Sequence, residues 1–123
     1  MAEQNRIETA DGSVYEGEKK NGAAHGFGKM TLKNGDVYEG NFDEGVRHGQ
    51  GKMTLKSGMV YDGNWEQGMP QGQGKETTAK GDVYEGEFHQ GRKKGQGTVT
   101  NASGFTYTGE WSEGMPNGRG EDR

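Results

Sequence analysis

Val83-Tyr84-Glu85-Gly86-Glu87-Phe88 alternates apolar and polar side chains, and Lys52-Met53-Thr54-Leu55 does the same. A period of two is the signature of a half-exposed β-strand. Bursts of this kind recur along the chain. Apolar residues show no helical recurrence, and glycine interrupts nearly every stretch, so no helix is predicted.

The bursts are copies of one unit. Tyr15, Tyr38, Tyr61, Tyr84 and Tyr107 each follow the last by 23 residues. With each tyrosine as position 1, glycines fall only at positions 3, 8, 12, 14 and 21, and Gly12 supplies position 21 ahead of the first tyrosine. All 25 glycines are thereby placed. Each unit reads as a β-hairpin, with a first strand over positions 22 to 5 and a second over positions 12 to 18. The segment between them, such as Asp43-Glu44-Gly45-Val46-Arg47-His48, reads as the intervening loop.

Because 23 is odd, copies are equivalent only if one connection per unit has an odd offset. A three-residue loop ending in a left-handed glycine fits Lys33-Asn34-Gly35, Lys56-Ser57-Gly58, Ala79-Lys80-Gly81 and Ala102-Ser103-Gly104. A two-residue Asn-Gly turn is the competitor and would exchange the faces of the second strands. The three-residue loop sets the ladder Tyr15, Met30, Tyr38, Met53, Tyr61, Glu76, Tyr84, Val99, Tyr107 across the sheet. Beside it runs a ladder of glycine alone: Gly17, Gly28, Gly40, Gly51, Gly63, Gly74, Gly86, Gly97, Gly109 and Gly120. Rings from positions 1 and 5 can lean over this bare backbone. On the opposite face Glu16, Glu18, Glu39, Asn41, Glu85 and Glu87 meet Lys29, Lys52, Lys75 and threonines 31, 54, 77 and 100, a solvated charge row.

Composition now changes the picture. Only 26% of the 123 residues are hydrophobic and 28% are charged, values near the disordered class. The strict glycine register overrides that reading. The expected fold is all-β, an elongated single-layer antiparallel β-meander of about ten strands and about 45 Å. No helix is available to cover it, so the aromatic face is expected to stay partly exposed. Residues 1–6 form an N-terminal tail, 7–14 a partial capping strand and turn, 15–120 the repeat domain, and 121–123 a C-terminal tail. Lys19 replaces the position-5 aromatic in the first unit, and the charges of Glu121-Asp122-Arg123 guard the last edge.

Catalytic chemistry finds little support. Glu85 and Glu87 share a face at about 7 Å, but Glu16 and Glu18 repeat the arrangement in the open, where no pocket separates their acidities. Cysteine is absent, which excludes thiol nucleophiles and thiolate metal sites. His25 and His48 should lie about 10 Å apart, too far to share a metal ion easily. His89 sits elsewhere in its unit. No cofactor and no metal are expected. The net charge of −4 opposes nucleic acid as a partner. MAEQNR lacks the apolar core of a signal peptide, Ala2 rules out myristoylation, and Asn101-Ala102-Ser103 reads as a chance glycosylation match.

Tyr107-Thr108-Gly109-Glu110-Trp111 and His48-Gly49-Gln50-Gly51 resemble the pattern of MORN repeats, and the resemblance runs from about Ile7 to Gly120. Glu76, Thr78 and Asn101 depart from it where an apolar residue is expected, as do Gln71, Lys94 and Asn117 at the histidine position. The resemblance implies a grooved β-meander that serves as a scaffold in cytoskeletal, ciliary or membrane-associated assemblies, with a historical link to phosphoinositides. No reaction is implied.

The reading is a non-catalytic, cytoplasmic interaction scaffold. Its candidate groove is lined by Tyr15, Tyr38, Phe42, Tyr61, Trp65, Tyr84, Phe88, Tyr107 and Trp111 and receives a helix or extended peptide of a protein partner, or another repeat array. One rival is an anionic-lipid adaptor acting through Lys75, Lys80, Arg92, Lys93 and Lys94. The other is a self-assembling structural repeat.

Overall fold

The computed structural model describes residues 6–122, with side chains described up to Met115. Of the expected tails at residues 1–6 and 121–123, residues 1–5 and 123 lie outside the described residues, whereas Arg6 belongs to the first strand and Glu121 and Asp122 to the last, which corrects both boundaries. The strands are β1 (Arg6–Glu8), β2 (Val14–Lys20), β3 (Ala23–Thr31), β4 (Val37–Asp43), β5 (Val46–Thr54), β6 (Val60–Glu66), β7 (Met69–Thr77), β8 (Val83–His89), β9 (Arg92–Thr100), β10 (Thr106–Ser112) and β11 (Met115–Asp122). They form one antiparallel sheet in chain order. The all-β meander read from the repeats is therefore the fold, with eleven strands rather than about ten.

Two turns alternate. At Lys33-Asn34-Gly35 the Leu32 amide donates to the Asp36 carbonyl at 2.8 Å, and Gly35 has φ of 102°. This is the three-residue loop of the two alternatives. It places Tyr38 between Met30 and Met53, and Gly40 between Gly28 and Gly51.

The other connection corrects the sequence reading. Residues 43–48 are not a loop: Asp43 pairs with Val46 across a two-residue turn, Glu44-Gly45, with φ of 50° and 86°. That mirror-image geometry matches the right-handed twist of the flanking strands. The second strands consequently begin at unit position 9, not 12. A bulge compensates, since Asn41 on β4 faces the three residues between Arg47 and Gly51 on β5. Position-4 side chains satisfy the backbone there: Glu18 accepts from the Phe27 amide at 3.0 Å, and Glu87 from the Gln96 amide at 3.1 Å. The Glu87 carboxylate is thus committed to structure.

A single sheet has no second layer, so its rings supply one. In spatial order Tyr15, Phe42, Tyr38, Trp65, Tyr61, Phe88, Tyr84, Trp111 and Tyr107 form a zigzag with centroids 4.9–5.7 Å apart and planes at 77–88°. Edge-to-face pairs of this type contribute about 0.5–1.5 kcal/mol each beyond their area. The tyrosine rings lie over the glycine ladder, and the Phe and Trp rings stand nearly perpendicular to them. A Cβ at Gly51 would collide with the hydroxyl and the adjacent ring carbons of Tyr38.

The polar handles are anchored as well. The Tyr38 hydroxyl donates to the Asn41 carbonyl at 2.8 Å, with equivalents in every unit, and Trp65 Nε1 donates to the Gly51 carbonyl at 2.9 Å. Burial pushes the Tyr38, Tyr61 and Tyr84 hydroxyls up to about 12.

Candidate functional site

The nine rings of the expected groove are between 0 and 7% exposed. This corrects the partly exposed face, and the reason is geometric: the seven inner rings of the zigzag each have ring neighbours on two sides, and the tyrosines rest on glycine backbone. What a visitor would touch is the layer above and beside them.

That layer comes from unit positions the sequence reading had assigned to a loop. Because Phe42 pairs with Arg47 and Phe88 with Lys93, position 10 stands on the aromatic face. Its occupants are Ala24, Arg47, Pro70 and Lys93 through the first four units. The Arg47 guanidinium lies 5.2 Å from the Trp65 ring centroid and 5.8 Å from that of Tyr38. Lys93 Nζ occupies the equivalent place, 5.3 Å from Tyr84 and 5.5 Å from Trp111. Both are cation–π contacts.

The two cations differ in their acids. Lys93 Nζ is 3.3 Å from Glu76 Oε1, and both side chains are largely buried. Two repeats earlier, Met30 holds the position corresponding to Glu76. Among the described residues Arg47 has no carboxylate partner and no side-chain hydrogen bond. Burial lowers its pKa from the usual arginine value, against a smaller opposing effect of Tyr38. A guanidinium nevertheless stays charged at neutral pH.

Beside Arg47 is a shallow depression walled by Met30, Leu32, Phe42 and Val46 with two turn glycines. Leu55 and Met53 continue this apolar surface along the sheet. Toward the other end Thr78 and Asn101 replace the leucines, and Glu76 and Val99 replace the methionines. Val46 is 43% exposed although it borders the depression.

The five basic residues of the lipid rival do not come together as one patch. Lys93 is on the aromatic face and neutralised by Glu76, while Arg92 bonds Glu113 at 2.6 Å. Lys75 stands between Asp62 and Glu85 on the polar face. Lys80 is in the turn at the far end of the strands from Arg92, and Lys94 faces away from Lys93. Alternation within β9 and the strand length of the hairpin together disperse them.

The histidines lie in strands rather than loops. His25 Nδ1 is 3.5 Å from Asp43 Oδ1, and His89 Nδ1 is 3.2 Å from the Gln71 amide nitrogen. Among the described residues no three His, Asp or Glu side chains gather as a metal-binding set.

Arg47 was the residue sequence reasoning missed. Its signal was Asn21-Gly22, the preferred two-residue hairpin turn, which occupies unit positions 7 and 8 only in the first unit. Carried through the repeat, that turn puts position 10 opposite the position-5 aromatic.

A single-layer meander of 23-residue hairpins with a buried ring ladder is a β-repeat array in architecture. The sequence profile of the MORN repeat matches residues 15–37, 38–60, 61–83, 84–106 and 107–121. The chain belongs to the MORN repeat family. This repeat is a non-enzymatic module that generally serves interactions with proteins or membranes. No curated protein matches the chain. Among solved structures it is similar to the TCP domain of SAS-4 (dCPAP) from Drosophila melanogaster, solved in complex with a proline-rich motif of Ana2 (dSTIL), at 16% identity over 98% of this chain and 88% of that one. The TM-score of 0.32 is too low to establish a common fold.

Proposed function

We propose that the chain is a non-catalytic scaffold that captures a helix or extended segment of a protein partner on its aromatic face. The half-buried apolar row of Met30, Leu32 and Leu55, set on a rigid ring ladder, is the observation that carries this reading. Partly exposed apolar side chains on a preorganised sheet lower the entropic cost of docking. The setting in this reading is a cytoplasmic assembly of the cytoskeletal, ciliary or membrane-associated kind implied by the repeat resemblance. The dispersal of the basic residues favours protein over lipid as the first partner.

The test uses surface residues rather than the buried rings. Leu32→Thr with Leu55→Thr copies what Thr78 does in the third unit, so the melting temperature should barely move. Capture of a purified partner should fall by about tenfold, since removing apolar anchors typically costs 1.4 kcal/mol or more. Capture unaffected by this pair but abolished by Glu39→Ala and Glu85→Ala on the polar face would reject the reading.

A further inference from the structure

We infer that the depression beside Arg47 is a subsite for a carboxylate displayed between apolar side chains on a protein partner. This rests on the aromatic-face reading above and names the chemistry of its occupant. Three observations converge. First, Arg47 offers a fork of N–H donors, and among the described residues it has neither an ion pair nor a side-chain hydrogen bond. Second, the walls of the depression are Met30, Leu32, Phe42 and Val46, which are apolar and offer no competing anion. Third, the protein itself contains the filled version of this site: Glu76 reaches Lys93 at 3.3 Å over the equivalent pair of rings. Where Glu76 is internal, Met30 leaves the carboxylate to be supplied from outside.

The charge complement selects the source of the anion. A phosphoinositide head group ordinarily needs about four to eight clustered cations, whereas this subsite has one in an apolar frame on a chain of net charge −4. A planar carboxylate matches one guanidinium in bidentate fashion. Flanking leucine-sized groups would occupy the contacts of Met30, Leu32 and Val46. An acidic–apolar peptide segment therefore fits better than a membrane.

The experiment titrates the full chain with three probes by calorimetry: a blocked Leu/Glu peptide, its Leu/Gln twin, and vesicles containing phosphatidylinositol bisphosphate. The Leu/Glu peptide should bind about tenfold or more tightly than the twin, the usual scale for a desolvated charge-assisted pair. Met30→Glu should abolish that preference by supplying the carboxylate internally, and the native Glu76 shows that the repeat accepts it. Glu76→Met should free Lys93 and add a second site of the same kind. Arg47→Met gives an independent check, keeping apolar contacts while losing the preference for Glu over Gln. Equal binding of the two peptides, unchanged by Met30→Glu, would overturn the carboxylate inference and leave the aromatic-face reading standing. Failure of both peptides to bind would overturn both. Arg47-dependent binding to the vesicles alone would overturn the protein partner in favour of lipid.

Discussion

Arg47 and Lys93 sit at equivalent places two repeats apart, each over one tyrosine and one tryptophan, yet only Lys93 has an acid. The ring beneath registers the contrast. Burial raises both Tyr38 and Tyr84, but Arg47 opposes the rise at Tyr38 whereas Glu87 and Glu76 add to it at Tyr84. One backbone design thus carries a closed site and an open one. In a repeat array the shared residues make the fold, and the two sites differ only where the copies disagree.

Breaking the shared part should cost most, and should cost both sites alike. Gly51→Ala drives a methyl into the Tyr38 ring, with glycine backbone of the neighbouring strand below and little room to yield. A loss of about 3 kcal/mol or more is expected in urea unfolding, the upper range for overpacking. Alkali attacks the same ladder. Tyrosine titrates near 10 in an unfolded chain, and Tyr38, Tyr61 and Tyr84 are held up to about 12 by burial. The neutral hydroxyl is favoured by the fold, so this stabilisation is complete below about pH 10 and disappears as pH rises toward 12. Tyrosinate absorbance and loss of β-sheet circular dichroism should therefore rise together across that window.

Smaller changes sharpen the difference between the sites. Glu76→Ala strands Lys93 and should destabilise by about 1 kcal/mol, whereas Arg47→Met removes an unpaired half-buried cation and should be neutral or stabilising, as for replaced buried charges generally. Paired thermal melts of the two variants read this directly. The smallest effect is at the two-residue turn. Glu44 has φ of 50°, a region asparagine tolerates far better, so Glu44→Asn should stabilise by about 0.5 kcal/mol without affecting either site.

The period of 23 made the sheet and its order legible, and the glycine ladder followed from the three-residue loop, one of two turns that the sequence left open. The position-10 row was not legible. Glu44, Gln67, Gln90 and Glu113 adopt left-handed backbone that their residue types do not announce, so the turn looked long and Arg47 looked like a loop residue. Ring burial was hidden for another reason. Counting apolar side chains suggested an uncovered face, but rings laid edge to face over bare backbone cover one another, which no composition reveals. Likewise Lys93 belongs to a basic run in sequence and to Glu76 in space.

Two tryptophans place a reporter at each site: Trp65 beneath Arg47 and Trp111 beneath Lys93. Titrating the isotope-labelled chain with the Leu/Glu peptide while following both indole N–H resonances tests the account most directly. The Trp65 signal should move and saturate while Trp111 stays in place. Equal movement of both, or movement of Trp111 alone, would contradict the claim that the open site is where recognition occurs.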